Sequence, residues 1–223
     1  MPVAPKPSNN LRTAALVGGS LIIVAVLALI LANLAGSGGD NATKPKHVAN
    51  SVGLVLKIGK VNVQSAGPPP RINSSVKQAV LDSSQSYVDD AVLAPLENGK
   101  LNPAYAKIFD LGVRRSATGS DRGTLTEVRT GKLKAAVKAT ATQVQLDGMG
   151  DQTGKLVLVA ASFRVQVDAK GSGGPVKITR GAELTFARVG NRWLVTAYRF
   201  VVIRKTPART TSADVRAGSE EIS

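Results

Sequence analysis

The 223-residue sequence contains no cysteine and a single histidine, His47. Without thiols there is no disulfide, no thiolate metal site, no cysteine nucleophile and no lipid anchor through cysteine. One imidazole excludes a multi-histidine metal centre, and a Ser-His-Asp triad would have to use His47, which sits beside Lys46 in a polar linker. No cofactor and no metal are expected. Aromatic residues are scarce at 4%, so a core must be built chiefly from aliphatic side chains. Acids are few as well: 15 Asp and Glu against 29 Lys and Arg leave a net charge of +14. The 43% of hydrophobic residues and the mean hydropathy of +0.04 exclude a wholly disordered chain.

The longest apolar run is residues 14–35, AALVGGSLIIVAVLALILANLA, which carries no charge. At 1.5 Å per residue such a run crosses a hydrocarbon layer of roughly 30 Å, so a transmembrane helix is predicted over 14–35. The competing reading is a cleaved secretory signal. Signal cores usually run about 7–15 residues, and Asn33 would stand where cleavage wants a small side chain. Lys6 and Arg12 on one flank balance Lys44 and Lys46 on the other, so flanking charge does not fix orientation. Residues 1–13 are placed in the cytosol, and the rest outside a plasma membrane crossed once. Residues 36–71 read as a tether with a short strand over 52–63, broken by the prolines of AGPPPR at 66–71. Asn41 and Asn73 each head an Asn-X-Ser/Thr glycosylation pattern, which is short and common.

From Ile72 the apolar spacing turns helical: Ile72, Val76, Val80, Tyr87 and Ala91 share one stripe with Ala79 and Ser83. Ser75 and Gln78 have capping-box spacing, and Pro95 limits the helix to about residue 94. Asn102-Pro103 announces a second helix that turns Tyr105, Ile108 and Phe109 inward. Residues 114–129 look like a polar connection. Between Lys132 and Lys205 the pattern is that of strands, with breaks at 148–154, 171–175 and 190–191. Val157, Val159, Ala161, Phe163, Val165 and Val167 alternate with more polar neighbours, the mark of a sheet with one covered face. In RWLVTAYRFVVIRK both alternation sets are apolar, which predicts a central strand or one covered on both sides. The expected fold is α+β: after the transmembrane helix, helices pack on a four-stranded antiparallel meander over 72–205, and 206–223 form a disordered tail.

Gly190, Trp193 and Val195, closing such a meander, resemble the Gly-x-x-Trp-x-Val pattern in the last strand of nuclear-transport-factor-2-like (cystatin-like) cone domains. Behind one membrane helix, the arrangement resembles the Mce-associated membrane proteins of actinobacteria. It also resembles the VirB-type inner-membrane scaffolds of type IV secretion. These resemblances imply a curved, cone-shaped sheet and a non-catalytic accessory or scaffold subunit of an actinobacterial cell-envelope complex. Mce-type lipid transport is the first expectation and conjugative secretion the second. A small-ligand-binding or enzymatic cone is the third, because relatives of such folds place an acid beside a tyrosine in an apolar cavity. The residues available for that are Tyr87, Tyr105, Asp110, Glu183 and Tyr198. None forms an acid-tyrosine pair by position, so no catalytic residue is assigned and Trp193 is expected to fill the core.

Charge is divided along the chain. Lys77 stands alone among Asp82, Asp89, Asp90 and Glu97 on the helix, whereas residues 132–205 carry thirteen Lys and Arg against four acids. Such a field attracts anionic partners: phospholipid head groups, wall polymers or an acidic protein of an envelope complex, with self-association also open. Lys132, Lys134 and Lys138 are the candidate partner-binding residues. Nucleic acid is not expected, since the aromatic and glycine-rich strand motifs of single-strand binders are missing.

Overall fold

The computed structural model describes residues 52–133, 137–171, 174–206 and 209–215, with side chains described as far as Lys205. Strand β1 (Ile58–Ser65) precedes helix α1 (Ser74–Tyr87), a π-helical turn (Val88–Leu93) and α2 (Ala94–Asn98). A 3-10 turn (Pro103–Ile108) leads to α3 (Leu111–Thr118) and α4 (Arg122–Leu125). Strands β2 (Lys138–Ala141), β3 (Val144–Gly150), β4 (Leu156–Gly171), β5 (Gly174–Val189), β6 (Arg192–Thr206) and β7 (Arg209–Val215) follow. Together the strands make one sheet, ordered β1-β3-β4-β5-β6-β7, with β2 also paired to β4.

This corrects the expected fold. The sheet has seven strands among the described residues and is mixed, because β1 runs parallel to β3 while the other pairs are antiparallel. The apolar run at 14–35 lies outside the described residues, as do His47 and Asn41. Among the described residues no helix is long and apolar enough to cross a membrane. The longest of them, α1, has 14 residues and would reach only about 21 Å. The single-pass membrane localisation is corrected with it.

Each strand that was missed had a reason to be. In β2 only four residues, KATA, pair with β4, too few for a pattern to register. Thr142 continues that edge, its N–H donating to Arg164 O at 2.9 Å while its hydroxyl accepts from Arg164 N at 2.9 Å. The polar sequence of β7, RTTSADV, falls where a disordered tail was expected and pairs with β6. The strand expected over 52–63 begins later, at Ile58, and its first part is tied to α1 instead. Gln85 accepts from Leu56 N at 2.7 Å and donates to Leu54 O at 2.9 Å, serving as a short substitute for a neighbouring strand.

The proline-rich stretch is packed against the β3–β4 turn. Ser65 Oγ donates to Asp151 O at 2.9 Å, and Gly154, at φ +80°, places its Cα hydrogens against the Pro68 carbonyl. A Cβ at position 154 would lie 2.9 Å from that oxygen in a backbone region that L side chains avoid. Gly154→Ala is therefore expected to cost at least about 1 kcal/mol in urea unfolding, and an unchanged midpoint would show this turn to be slack.

One face of the sheet carries the core. Val159, Ala161, Phe163, Val165 and Val167 of β4 are buried, in the alternation the sequence shows. On β5 the buried set is Ile178, Arg180, Ala182, Leu184 and Phe186. The double apolar alternation of β6 is resolved by a bulge opposite Thr185 and Phe186, which lets Val195 point inward ahead of it and Tyr198, Phe200 and Val202 after it. On its opposite face Leu194 and its partner Ala187 are buried at the start of the strand, while Arg199, Val201 and Lys205 further on are exposed. All four Phe and all three Tyr are buried. Tyr87, Phe200, Tyr198, Phe109 and Tyr105 stack in series with ring centroids 4.9–6.3 Å apart. Trp193 is only partly buried, packed against the margin of this core.

Helix α1 is capped by Asn73, whose side chain accepts from Val76 N at 2.9 Å, rather than by Ser75, which donates its hydroxyl to Asn73. Pro95 does not end the helical run. It sits in the first turn of α2, where its missing N–H removes one donor from the preceding turn, whose π-helical register already shifts the pairing of the carbonyls four and five residues back. Those two, Ala91 O and Asp90 O, accept from Glu127 N at 3.0 Å and from Asn102 N at 3.3 Å. The proline and the wide turn before it thus dock two later segments onto the helix.

Candidate functional site

The buried polar groups gather between the helices and β5. Arg180 takes a core position on β5 and is 1% exposed, while Glu127 follows α4 and is fully enclosed. Docking of Glu127 N on Ala91 O aims the carboxylate at the sheet. Its Oε1 accepts from Arg180 Nη2 and from Arg204 Nη2, the latter at 2.9 Å. Its Oε2 accepts from Arg204 Nε at 3.1 Å and from Thr130 Oγ1 at 2.6 Å. Arg180 and Arg204 lie on one face because Arg204 pairs with Ile178, two residues from Arg180 along β5. Arg180 Nη1 also donates to Thr124 O at 2.6 Å and to Tyr87 Oη at 3.0 Å, and Tyr87 donates onward to Leu125 O at 2.8 Å. Arg180 Nε has no partner among the described residues.

The electrostatics follow from this geometry. Burial alone would raise the Glu127 pKa, but the Arg180 and Arg204 guanidinium groups outweigh it and hold the carboxyl below its ordinary value. Burial pushes the Tyr87 hydroxyl up to about 12, against the opposing pull of Arg180. Tyr198 is raised by burial and by its hydrogen bond to Asp121, 2.7 Å away. Both tyrosines therefore stay protonated and Glu127 stays ionised near neutral pH.

Of the enzyme candidates, Tyr87, Tyr105 and Tyr198 share the aromatic series, and Tyr198 forms an acid-tyrosine pair with Asp121, a residue not among the candidates, whereas Asp110 and Glu183 stand apart. Tyr105 donates to Ala117 O at 3.2 Å. Asp110 caps α3 by accepting from Gly112 N at 3.1 Å. Glu183 is exposed on β5, pointing away from the core. Among the described residues no three His, Asp or Glu side chains are placed to hold a metal ion. A second polar group joins Ser86, Asp90 and Asn102, with Ser86 Oγ and Asn102 Nδ2 donating to Asp90 at 2.9 and 2.6 Å.

The candidate lysines fall on different elements. Lys132 is exposed beside the end of α2, its Cβ close to Gly99, and Lys134 lies outside the described residues. Lys138 is exposed on β2, opposite Asp168 of β4, on the face of the sheet away from the helices. Sequence reasoning missed Glu127 because it lay in a stretch read as a polar connection. The available signal was Arg180, a charge standing in an otherwise apolar alternation on β5.

In comparison with known proteins, no family model, no curated protein and no solved structure matches this chain.

Proposed function

We propose that the chain is a non-catalytic scaffold or accessory subunit that works by holding other macromolecules. The observation that supports this reading is the saturation of the interior. Glu127 has all four of its acceptor directions filled, and Tyr87, Tyr105 and Tyr198 each spend their hydroxyl hydrogen on a fixed internal acceptor. Groups held this way fasten the helices to the sheet, and the Glu127 carboxylate has no acceptor direction left for a substrate. The outward-facing chemistry is charge on a broad sheet surface, which suits association. The lipid-transport and secretion expectations leaned on a four-stranded cone, which the seven-stranded sheet replaces.

Complementation of a strain lacking the chain tests this. Tyr87→Phe and Asp110→Asn should restore wild-type behaviour, because each removes a titrating group but keeps the shape. A proton-transfer group contributes about 10²–10⁴-fold to rate, so loss of function in either variant, with the protein folded and at normal abundance, would make the chain an enzyme.

A further inference from the structure

The outer face of the sheet carries a cationic cluster with a definite register. Lys138, Asp168, Lys177 and Lys205 stand in one row across β2, β4, β5 and β6, each directly opposite the next. At about 4.8 Å per strand the row is roughly 14 Å long. Lys170 lies two residues along β4, and Arg164 and Arg199 stand further up the same face, all exposed. Against these six bases the face offers Asp168, which bridges Lys177 at 3.6 Å, Glu183, opposite Arg199, Asp147 of β3, which accepts from Asn62, and Asp214, paired with Val201 in the β7 register. Lys177 and Lys205 face each other directly, an arrangement of like charges that weakens a sheet unless something anionic lies over it. Between the bases the face is apolar or small: Val201 is 39% exposed, with Gly181 opposite it and Ile203 alongside.

We infer that this face, centred on Lys138, Lys177 and Lys205, is the docking surface for an acidic protein partner whose carboxylates alternate with apolar side chains. The inference rests on the scaffold reading and adds the partner's chemistry to it. The mixed signs decide between occupants. A lipid surface or a nucleic-acid backbone presents negative charge alone and would repel Asp168 and Glu183, whereas a protein can set a base against each of them and acids against the lysines. Bases also need aromatic platforms to stack on, and the face supplies none beside these lysines. Val201 and Ile203 give an apolar partner residue a place to lose water, as the centre of a protein interface does.

The experiment uses the full chain and a fluorescent peptide of repeated Glu-Glu-Val-Lys units, with phosphatidylglycerol vesicles and oligothymidylate as competing probes. Saturable peptide binding that weakens with salt is expected. Lys177→Glu with Lys205→Glu should weaken it about tenfold, as exposed ion pairs contribute a few tenths to 1 kcal/mol each and reversal replaces attraction by repulsion. Lys132→Glu, the same change beside α2, should alter it less than about twofold. Should the double reversal fail to fold, Lys177→Gln with Lys205→Gln should still weaken binding about threefold. Absent saturable binding, an equal loss from Lys132→Glu, or tighter binding of vesicles or oligothymidylate would overturn the assignment. Any of these would leave the complementation result for Tyr87→Phe and Asp110→Asn, and with it the scaffold reading, standing on its own.

Discussion

Replacing Glu127 by alanine should cost about 3–5 kcal/mol of unfolding free energy, a large part of what holds a typical domain together. The cause is the group left behind. Arg180 is almost wholly buried, and once the carboxylate is gone its charge faces only the Tyr87 hydroxyl and backbone carbonyls. Arg204 is freer, with its side chain 21% exposed, and can swing toward water. The ion pair is thus expected to act as a lock on Arg180 more than as a net source of stability. Exchanging both partners for apolar residues, as in Glu127→Leu with Arg180→Met, should cost clearly less than the sum of the single changes. Urea unfolding of the two single variants and the double variant measures this, and additive losses would show that the two residues do not act as a pair.

The same cluster sets an acid dependence whose sign is fixed. Glu127 has a lower pKa folded than unfolded, so its contribution is fully present above the unfolded value of about 4.3 and is lost as pH falls through the folded value. The chain should hold its stability between neutral pH and about 5 and lose it below about 4. In Glu127→Gln that acid loss should shrink.

How much of this was legible beforehand depended on whether a feature is local. The periodicities of α1 and β4 are written in consecutive residues, as are the Asn102-Pro103 start and the Gly190-Asn191 turn between β5 and β6. The parallel pairing of β1 with β3 is not, because it joins residues more than eighty positions apart with the helical segments between them. Pro95 misled for a physical reason: a proline normally ends a helix because the carbonyls behind it lose their partner, and here Asn102 and Glu127 supply one. Glu127 itself could not be read as a core residue from its polar neighbours. Its place is set by Arg180, which reaches it across 53 positions of sequence.

The aromatic core makes the last contrast measurable. Trp193, expected from the sequence to be the central anchor, packs at the margin of the core and is only partly buried, whereas Phe200 is fully enclosed between Tyr87, at 4.9 Å between ring centroids, and Tyr198, at 5.8 Å. Truncating a buried phenylalanine removes its transfer free energy and leaves a cavity, together about 3–5 kcal/mol. A partly exposed side chain gives up only part of its transfer term and water fills the gap, so about 1–2 kcal/mol is expected at Trp193. Phe200→Ala should lower the melting temperature by roughly 6–20 °C and Trp193→Ala by roughly 2–8 °C, given about 2–4 °C per kcal/mol for a chain of this size. The opposite ranking in a thermal melt would mean that the indole, and not the Tyr87–Phe200–Tyr198 stack, holds the helices against β6.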